Sequence, residues 1–185
     1  QKKNDDKLYE RLSKRVLNIK LDENNLDLIS KNAKGSHILI GGPPCQAYST
    51  IGRSRDPNRK KTDPRHFLFR VYLKLLDKIK PTFFVYENVL GLLSAKSEKG
   101  LITKMFVDDL NNLDTPYLFI PKNVNSNQLS FISDYRLKDY AIDISEYGVP
   151  QKRKRVIIIG VKKEVYIKNK SIVDELWDNI ESHKT

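Results

Sequence analysis

One cysteine and one glutamate are placed so that a fold could bring a nucleophile and an acid together, and two arginines share a facing at the entry to a third apolar run. Cys45 is the only cysteine in the 185 residues and stands in Gly41-Gly42-Pro43-Pro44-Cys45-Gln46-Ala47-Tyr48-Ser49. A lone cysteine is most simply a small buried apolar residue. A packing cysteine, however, needs neither two glycines and two prolines before it nor a cationic segment after it. The prolines restrict the backbone ahead of Cys45 and would hold the thiol at a fixed angle. A thiol and a carboxylate are the groups of covalent and acid–base chemistry, and Glu87 stands at the end of another apolar run, Thr82-Phe83-Phe84-Val85-Tyr86. The segment Gln151-Lys152-Arg153-Lys154-Arg155 leads into a third, Val156-Ile157-Ile158-Ile159. Strand alternation gives Arg153 and Arg155 the same facing.

The elements that must position these groups follow from periodicity. His37-Ile38-Leu39-Ile40 is short, β-branched and bounded by glycines, so it reads as a buried strand ending where the sulfur begins. Asp63 as N-cap and Pro64 at the first helical position open a helix whose Leu68, Val71, Leu75, Leu76 and Ile79 recur at helical spacing until Pro81. Strand, helix, strand implies a right-handed crossover between parallel strands. Both strands then end on one edge of the sheet, which places Cys45 near Glu87, at the edge where open α/β sheets bind ligands.

Other segments are less informative. Residues 1–20 form a charged surface helix or lead-in, and 21–33 give a modest helical signal ending near Gly35. Leu101–Leu113 is an amphipathic helix, while Thr115–Leu129 reads as loop. Tyr140, Ile142 and Ile144 alternate with polar or small residues as in a half-buried strand, and should pair antiparallel with the strand at 156–160 across the turn Tyr147-Gly148-Val149-Pro150. An amphipathic helix runs from Ser171 through Ile180.

Composition bounds the rest. The length suits one domain. No apolar run is long enough for a membrane span, and a single cysteine excludes an intrachain disulfide, excludes a multi-cysteine metal site and fits a reducing cytoplasm. The net charge of +11 suggests a polyanionic partner, nucleic acid first. Five cations in Ile51–Lys61 make that loop a candidate for phosphate contact. The only methionine is Met105, as expected of a processed chain or a piece of a longer one.

Four segments together resemble the DNA cytosine-5 methyltransferases, typically bacterial modification enzymes. GGPPCQAYS at 41–49, DPRHFLF at 63–69, ENV at 87–89 and YGVPQKRKR at 147–155 with its following strand match the family's fourth, fifth, sixth and eighth motifs in order and spacing. The resemblance covers about residues 20–161. It implies a Rossmann-like S-adenosylmethionine-dependent sheet, mostly parallel with an antiparallel hairpin on the C-terminal side, and truncated. Residues 1–185 would then be part of a catalytic domain whose Gly-rich cofactor loop and target-recognition domain lie outside this chain.

The resemblance also assigns roles. Cytosine is unreactive at ring carbon 5 until a nucleophile adds at carbon 6, and Cys45 would be that nucleophile, its thiolate favoured by nearby cations. Glu87 would bind ring nitrogen 3 and the exocyclic amine, protonated or sharing a proton in a site shielded from water. Arg155 would contact the carbonyl oxygen of the base, with Arg153 supporting the pocket. Carbon 5 then takes a methyl group from S-adenosylmethionine, without a metal. Because the base is stacked in double-stranded DNA, it must be flipped out, and Gln46, Ser49, Arg53 and Arg55 fit a segment that closes over the DNA. Asn88 would hold the loop that carries Cys45. Cofactor contacts carried over are few: Pro44, Leu68 and Asp22. Tyr48 stands where the family usually has phenylalanine. A cognate restriction endonuclease would be the expected partner. An RNA-directed member of the family, or an inactive nucleic-acid-binding fragment, are the alternatives.

Overall fold

The computed structural model describes residues 2–13, 16–44, 68–98, 100–120, 122 and 140–185, with side chains from residue 6 onward. The first element is α1 (Lys2–Ser13), followed by a one-turn 3-10 helix (Glu23–Asn25) and α2 (Leu26–Asn32). Strand β1 (Ile38–Gly41), helix α3 (Leu68–Ile79) and strand β2 (Phe83–Val89) come next. After a 3-10 turn (Leu90–Ser94), a small hairpin pairs β3 (Lys96–Ser97) with β4 (Gly100–Leu101) and leads into α4 (Ile102–Asn111). Strands β5 (Tyr117–Ile120), β6 (Ala141–Asp143) and β7 (Lys154–Lys162) complete the main sheet, and α5 (Lys163–Lys168), α6 (Lys170–Asp174) and α7 (Leu176–Glu181) follow.

Strand β7 is the centre of that sheet. It pairs antiparallel with β2 on one side and with β5 and β6 on the other, while β1 pairs parallel with β2. Four strands therefore run one way and β7 alone runs against them. The β1–α3–β2 crossover and the β6–β7 antiparallel pairing are the two connections expected from the sequence. Alternation along β2 sends Phe84, Tyr86 and Asn88 to one face, where they are buried. There Tyr72, Phe69 and Leu76 of α3 and Phe106 and Leu110 of α4 cover them. The rings of Tyr72 and Tyr86 lie 5.3 Å apart and those of Phe84 and Tyr117 5.4 Å apart, both edge-on, an arrangement that adds about 0.5–1.5 kcal/mol per pair beyond area burial. The other face is covered by Tyr166, Val173 and Trp177 of α5–α7, packed with Phe83, Val85 and Ile157. The Trp177 indole N–H donates to the Ile120 carbonyl at 2.6 Å and pins α7 to β5.

Three expectations are corrected. Strand β1 is not buried: Ile38 and Ile40 are 54% and 72% exposed, because β1 has β2 as its one partner among the described residues and only Leu39 turns toward the packed face. The stretch read as loop from Thr115 holds β5, whose four residues are all buried. The amphipathic pattern from Ser171 through Ile180 is divided between α6 and α7 rather than forming one helix. The predicted helix start at Asp63-Pro64 lies outside the described residues.

Candidate active site

The C-terminal ends of β1 and β2 meet where the sequence placed them. Gly41 is in register with Tyr86, so the chain leaving β1 passes directly beside Glu87. A Cβ on Gly42 would lie 2.7 Å from Glu87 Oε2 and 3.2 Å from the Glu87 carbonyl oxygen, a space that only glycine leaves open. The next residue is held as well: buried Asn88 donates through Nδ2 to the Pro43 carbonyl at 3.3 Å, while its Oδ1 accepts from the Val89 N–H at 2.9 Å. Asn88 thus ties the Pro43-Pro44 segment to the end of β2, and Cys45 is the residue that follows.

Arg155 joins Glu87 from β7. In the antiparallel register Glu87 lies opposite Ile157 and Arg155 opposite Val89, so the two are diagonal neighbours on one face, within reach of long side chains. Arg155 Nε lies 2.8 Å from Glu87 Oε1, and an Arg155 terminal N–H donates to the Lys154 carbonyl at 2.8 Å. The Arg155 side chain is the less exposed partner, at 14% against 42% for that of Glu87. The Nε–H does not point along the short contact and has no hydrogen-bond acceptor, so charge rather than an aligned hydrogen bond holds the pair. The shielding from water expected around Glu87 is not supplied by the described residues. What they do supply is a carboxylate with one side to solvent and a cation behind it.

The remaining expected residues divide by position. Arg153 precedes β7 and is exposed; strand alternation does not yet apply there, so it does not share Arg155's half-buried position. Its backbone N–H donates to Asp143 Oδ1 at 3.2 Å. Asp143 was not singled out in the sequence, yet it organises this segment, accepting also from the Ser145 hydroxyl at 2.8 Å and the Ser145 N–H at 3.2 Å. The Ser145 hydroxyl first, then backbone N–H donors and Lys154, hold its carboxyl below the usual carboxylate range. An Asp two residues before a Ser at a strand end is the signature of such a turn. Pro44 is exposed at the exit of β1, and Leu68 is partly buried at the head of α3. Asp22 caps the 3-10 turn before α2, its carboxylate accepting from Asn25 Nδ2 at 3.1 Å and lying 3.5 Å from Lys20 Nζ. Cys45, Gln46, Ser49, Arg53 and Arg55 lie outside the described residues. Among the described residues, no group of three or more His, Cys, Asp or Glu could hold a metal ion, and no helix is long and apolar enough to cross a membrane.

The family described as C-5 cytosine-specific DNA methylase matches residues 1–185. This chain belongs to that family. It is 34% identical over 168 residues to the Type II methyltransferase M.Bpa9945I of Bacillus paralicheniformis, covering 90% of this chain and 32% of that protein. It is also 35% identical over 147 residues to the DNA (cytosine-5-)-methyltransferase M.ApeKI of Aeropyrum pernix, covering 78% of this chain and 31% of the relative. A solved E. coli structure, described as a candidate DNA modification methyltransferase encoded within a prophage, superposes with a TM-score of 0.50 at 25% identity over 80% of this chain and 34% of that one. The chain thus spans about a third of the length of the proteins it matches, and its mixed sheet is consistent with a truncated S-adenosylmethionine-dependent methyltransferase fold.

Proposed function

We propose that this chain is part of an enzyme that methylates carbon 5 of cytosine in double-stranded DNA, with Cys45 adding to ring carbon 6 of a flipped base. The observation that carries the reading is the seam between β1 and β2. Gly42 lies against Glu87, Asn88 holds Pro43, and the following residue but one is the cysteine. Glu87 would share a proton with ring nitrogen 3 as Cys45 attacks, so that the negative charge pushed onto the ring is neutralised. Arg155, held beside Glu87, is proposed to donate through its guanidinium to the carbonyl oxygen of the base. Loss of the proton from carbon 5 then expels the Cys45 thiolate.

S-adenosylmethionine supplies the methyl group when bound. Pro44, Leu68 and Asp22 are proposed to contact it; the Asp22 carboxylate already accepts from Asn25 Nδ2. Gln46, Ser49, Arg53 and Arg55 are proposed to contact the DNA, and Arg153 to support the pocket. The Type II names of the relatives favour work beside a restriction endonuclease in a bacterial cytoplasm.

The test is covalent trapping on a duplex carrying 5-azacytosine, with and without S-adenosylmethionine. The wild-type chain is expected to form an adduct and Cys45→Ser none, with duplex binding nearly unchanged. An adduct that survives Cys45→Ser would overturn the mechanism. If wild type forms none, repeating the trap on a chain extended at both ends separates a missing segment from a wrong reading. Gly42→Ala provides a second check. Its Cβ would push Glu87 from its place, with an expected loss of about 10–100-fold in adduct formation. Because Gly42 is exposed, the melting temperature should barely move, and a wild-type adduct rate would refute the role given to this seam.

A further inference from the structure

The C-terminal residues grip the turn that leads to Arg155. Glu181, at the end of α7, accepts through Oε1 from the Tyr147 hydroxyl at 2.6 Å, and the same oxygen lies 3.1 Å from Lys122 Nζ. Its Oε2 lies 2.6 Å from Lys184 Nζ, which in turn lies 3.0 Å from Glu146 Oε2. The Thr185 N–H donates to the Glu146 carbonyl at 3.0 Å. Residues 146 and 147 are thus held by side chains and by backbone at once, and Gly148, with φ of 78°, ends the turn immediately before Val149-Pro150-Gln151 and the start of β7.

This grip has a direction. Tyr147 and Trp177 belong to the packed cluster that also contains Val85 and Ile157, on the sheet face where Glu87 lies two residues after Val85 on β2 and Arg155 two residues before Ile157 on β7. The network is persistently charged near neutrality. Burial raises the Glu181 carboxyl, but hydrogen bonds from Lys184, Tyr147 and Lys122 outweigh it and bring it to about 2. Burial first, and then Glu181, pushes the Tyr147 hydroxyl up to about 12, so it remains a donor. A terminal anchor alone needs only the Trp177 bond and the apolar contacts. A carboxylate engaged by three partners at the turn itself is placed to fix where β7 begins.

We infer that Glu181 is a positioning residue for the Glu87–Arg155 pair, acting through Tyr147, Lys184 and the turn at 146–148. The inference rests on the methyltransferase reading for its effect on chemistry, but not for its effect on geometry. The test uses the full chain with Glu181→Ala, Tyr147→Phe and Lys184→Met, measuring 5-azacytosine adduct rate, duplex affinity, melting temperature and amide hydrogen exchange across 149–155. Tyr147→Phe removes a single hydroxyl and serves where Glu181→Ala fails to fold. The expected result is faster exchange across 149–155 and an adduct rate lowered about 10–100-fold, with duplex affinity within about 2-fold. Glu181→Gln, which can still accept from Tyr147, should recover part of the rate. A melting temperature that falls while adduct rate and exchange in folded protein stay at wild-type values would reduce Glu181 to an anchor and overturn the inference. If wild type forms no adduct under any condition, the catalytic reading fails separately. Exchange then decides alone: unchanged protection in Tyr147→Phe overturns the positioning role, and lost protection upholds it.

Discussion

Glu87→Gln is expected to lower the rate of adduct formation and methyl transfer by about 10²–10⁴-fold, the usual contribution of a positioned acid, while leaving the chain folded. The amide is nearly the same shape, and the backbone pairing of β2 with β7 does not depend on the carboxylate, so the geometry of the seam should survive. What it loses is a proton it can share with a ring nitrogen as charge develops there. The cost in stability is small by the same geometry. The Glu87 side chain is 42% exposed, and ion pairs open to solvent contribute about 1 kcal/mol or less. The Arg155 guanidinium keeps its bond to the Lys154 carbonyl at 2.8 Å. A fall in melting temperature of about 2–4 °C is therefore expected for a chain of this size. Single-turnover kinetics beside thermal denaturation separate the two effects. A variant that reacts at the wild-type rate would make Glu87 a structural partner of Arg155 and move the acid elsewhere.

Part of this site was legible because local patterns determine it. Two short apolar runs flanking one helical period can fold only as a parallel crossover, and that places the residues after Gly41 beside Glu87 without any knowledge of register. The Glu87–Arg155 contact was not legible in that way. It depends on which residue of β7 lies opposite Glu87, and alternation in Val156-Ile157-Ile158-Ile159 is silent because the run is apolar on both faces. Alternation pairs Arg153 with Arg155 only inside a strand, and β7 begins at Lys154. Strand β5 is hidden in the sequence because Tyr117–Ile120 lies between Pro116 and Pro121, beside a run rich in Asn and Ser. Its four buried residues show no period of two, since both faces of the sheet are covered at that point. The exposure of Ile38 and Ile40 was hidden for a related reason: an apolar run looks the same on a central strand and on an edge.

Within the register that brings Arg155 to Glu87, Gly160 leaves room for the ring of Phe84, and Gly160→Ala should strain that pairing. Gly160 lies opposite Phe84 on one side and Phe119 on the other. A Cβ at position 160 would overlap Phe84 Cε1 and Cζ. The ring has no room to retreat. It is fully buried, with Tyr117 at 5.4 Å, Phe119 at 6.0 Å and Tyr72 at 6.5 Å between centroids. Overpacking a well-filled core costs about 1–3 kcal/mol, and a rigid aromatic cluster places this case near the upper end. At about 2–4 °C per kcal/mol, the melting temperature should drop by about 6–12 °C. The strain also reaches the site, because Glu87 lies three residues beyond Phe84 on β2 and Arg155 five residues before Gly160 on β7. The decisive comparison adds Phe84→Leu. Alone it leaves a cavity and destabilises, but in the double variant it makes room for the new methyl group. The double variant should therefore be more stable than the sum of the two single losses predicts. Strictly additive losses would mean that Gly160 and Phe84 do not share that space.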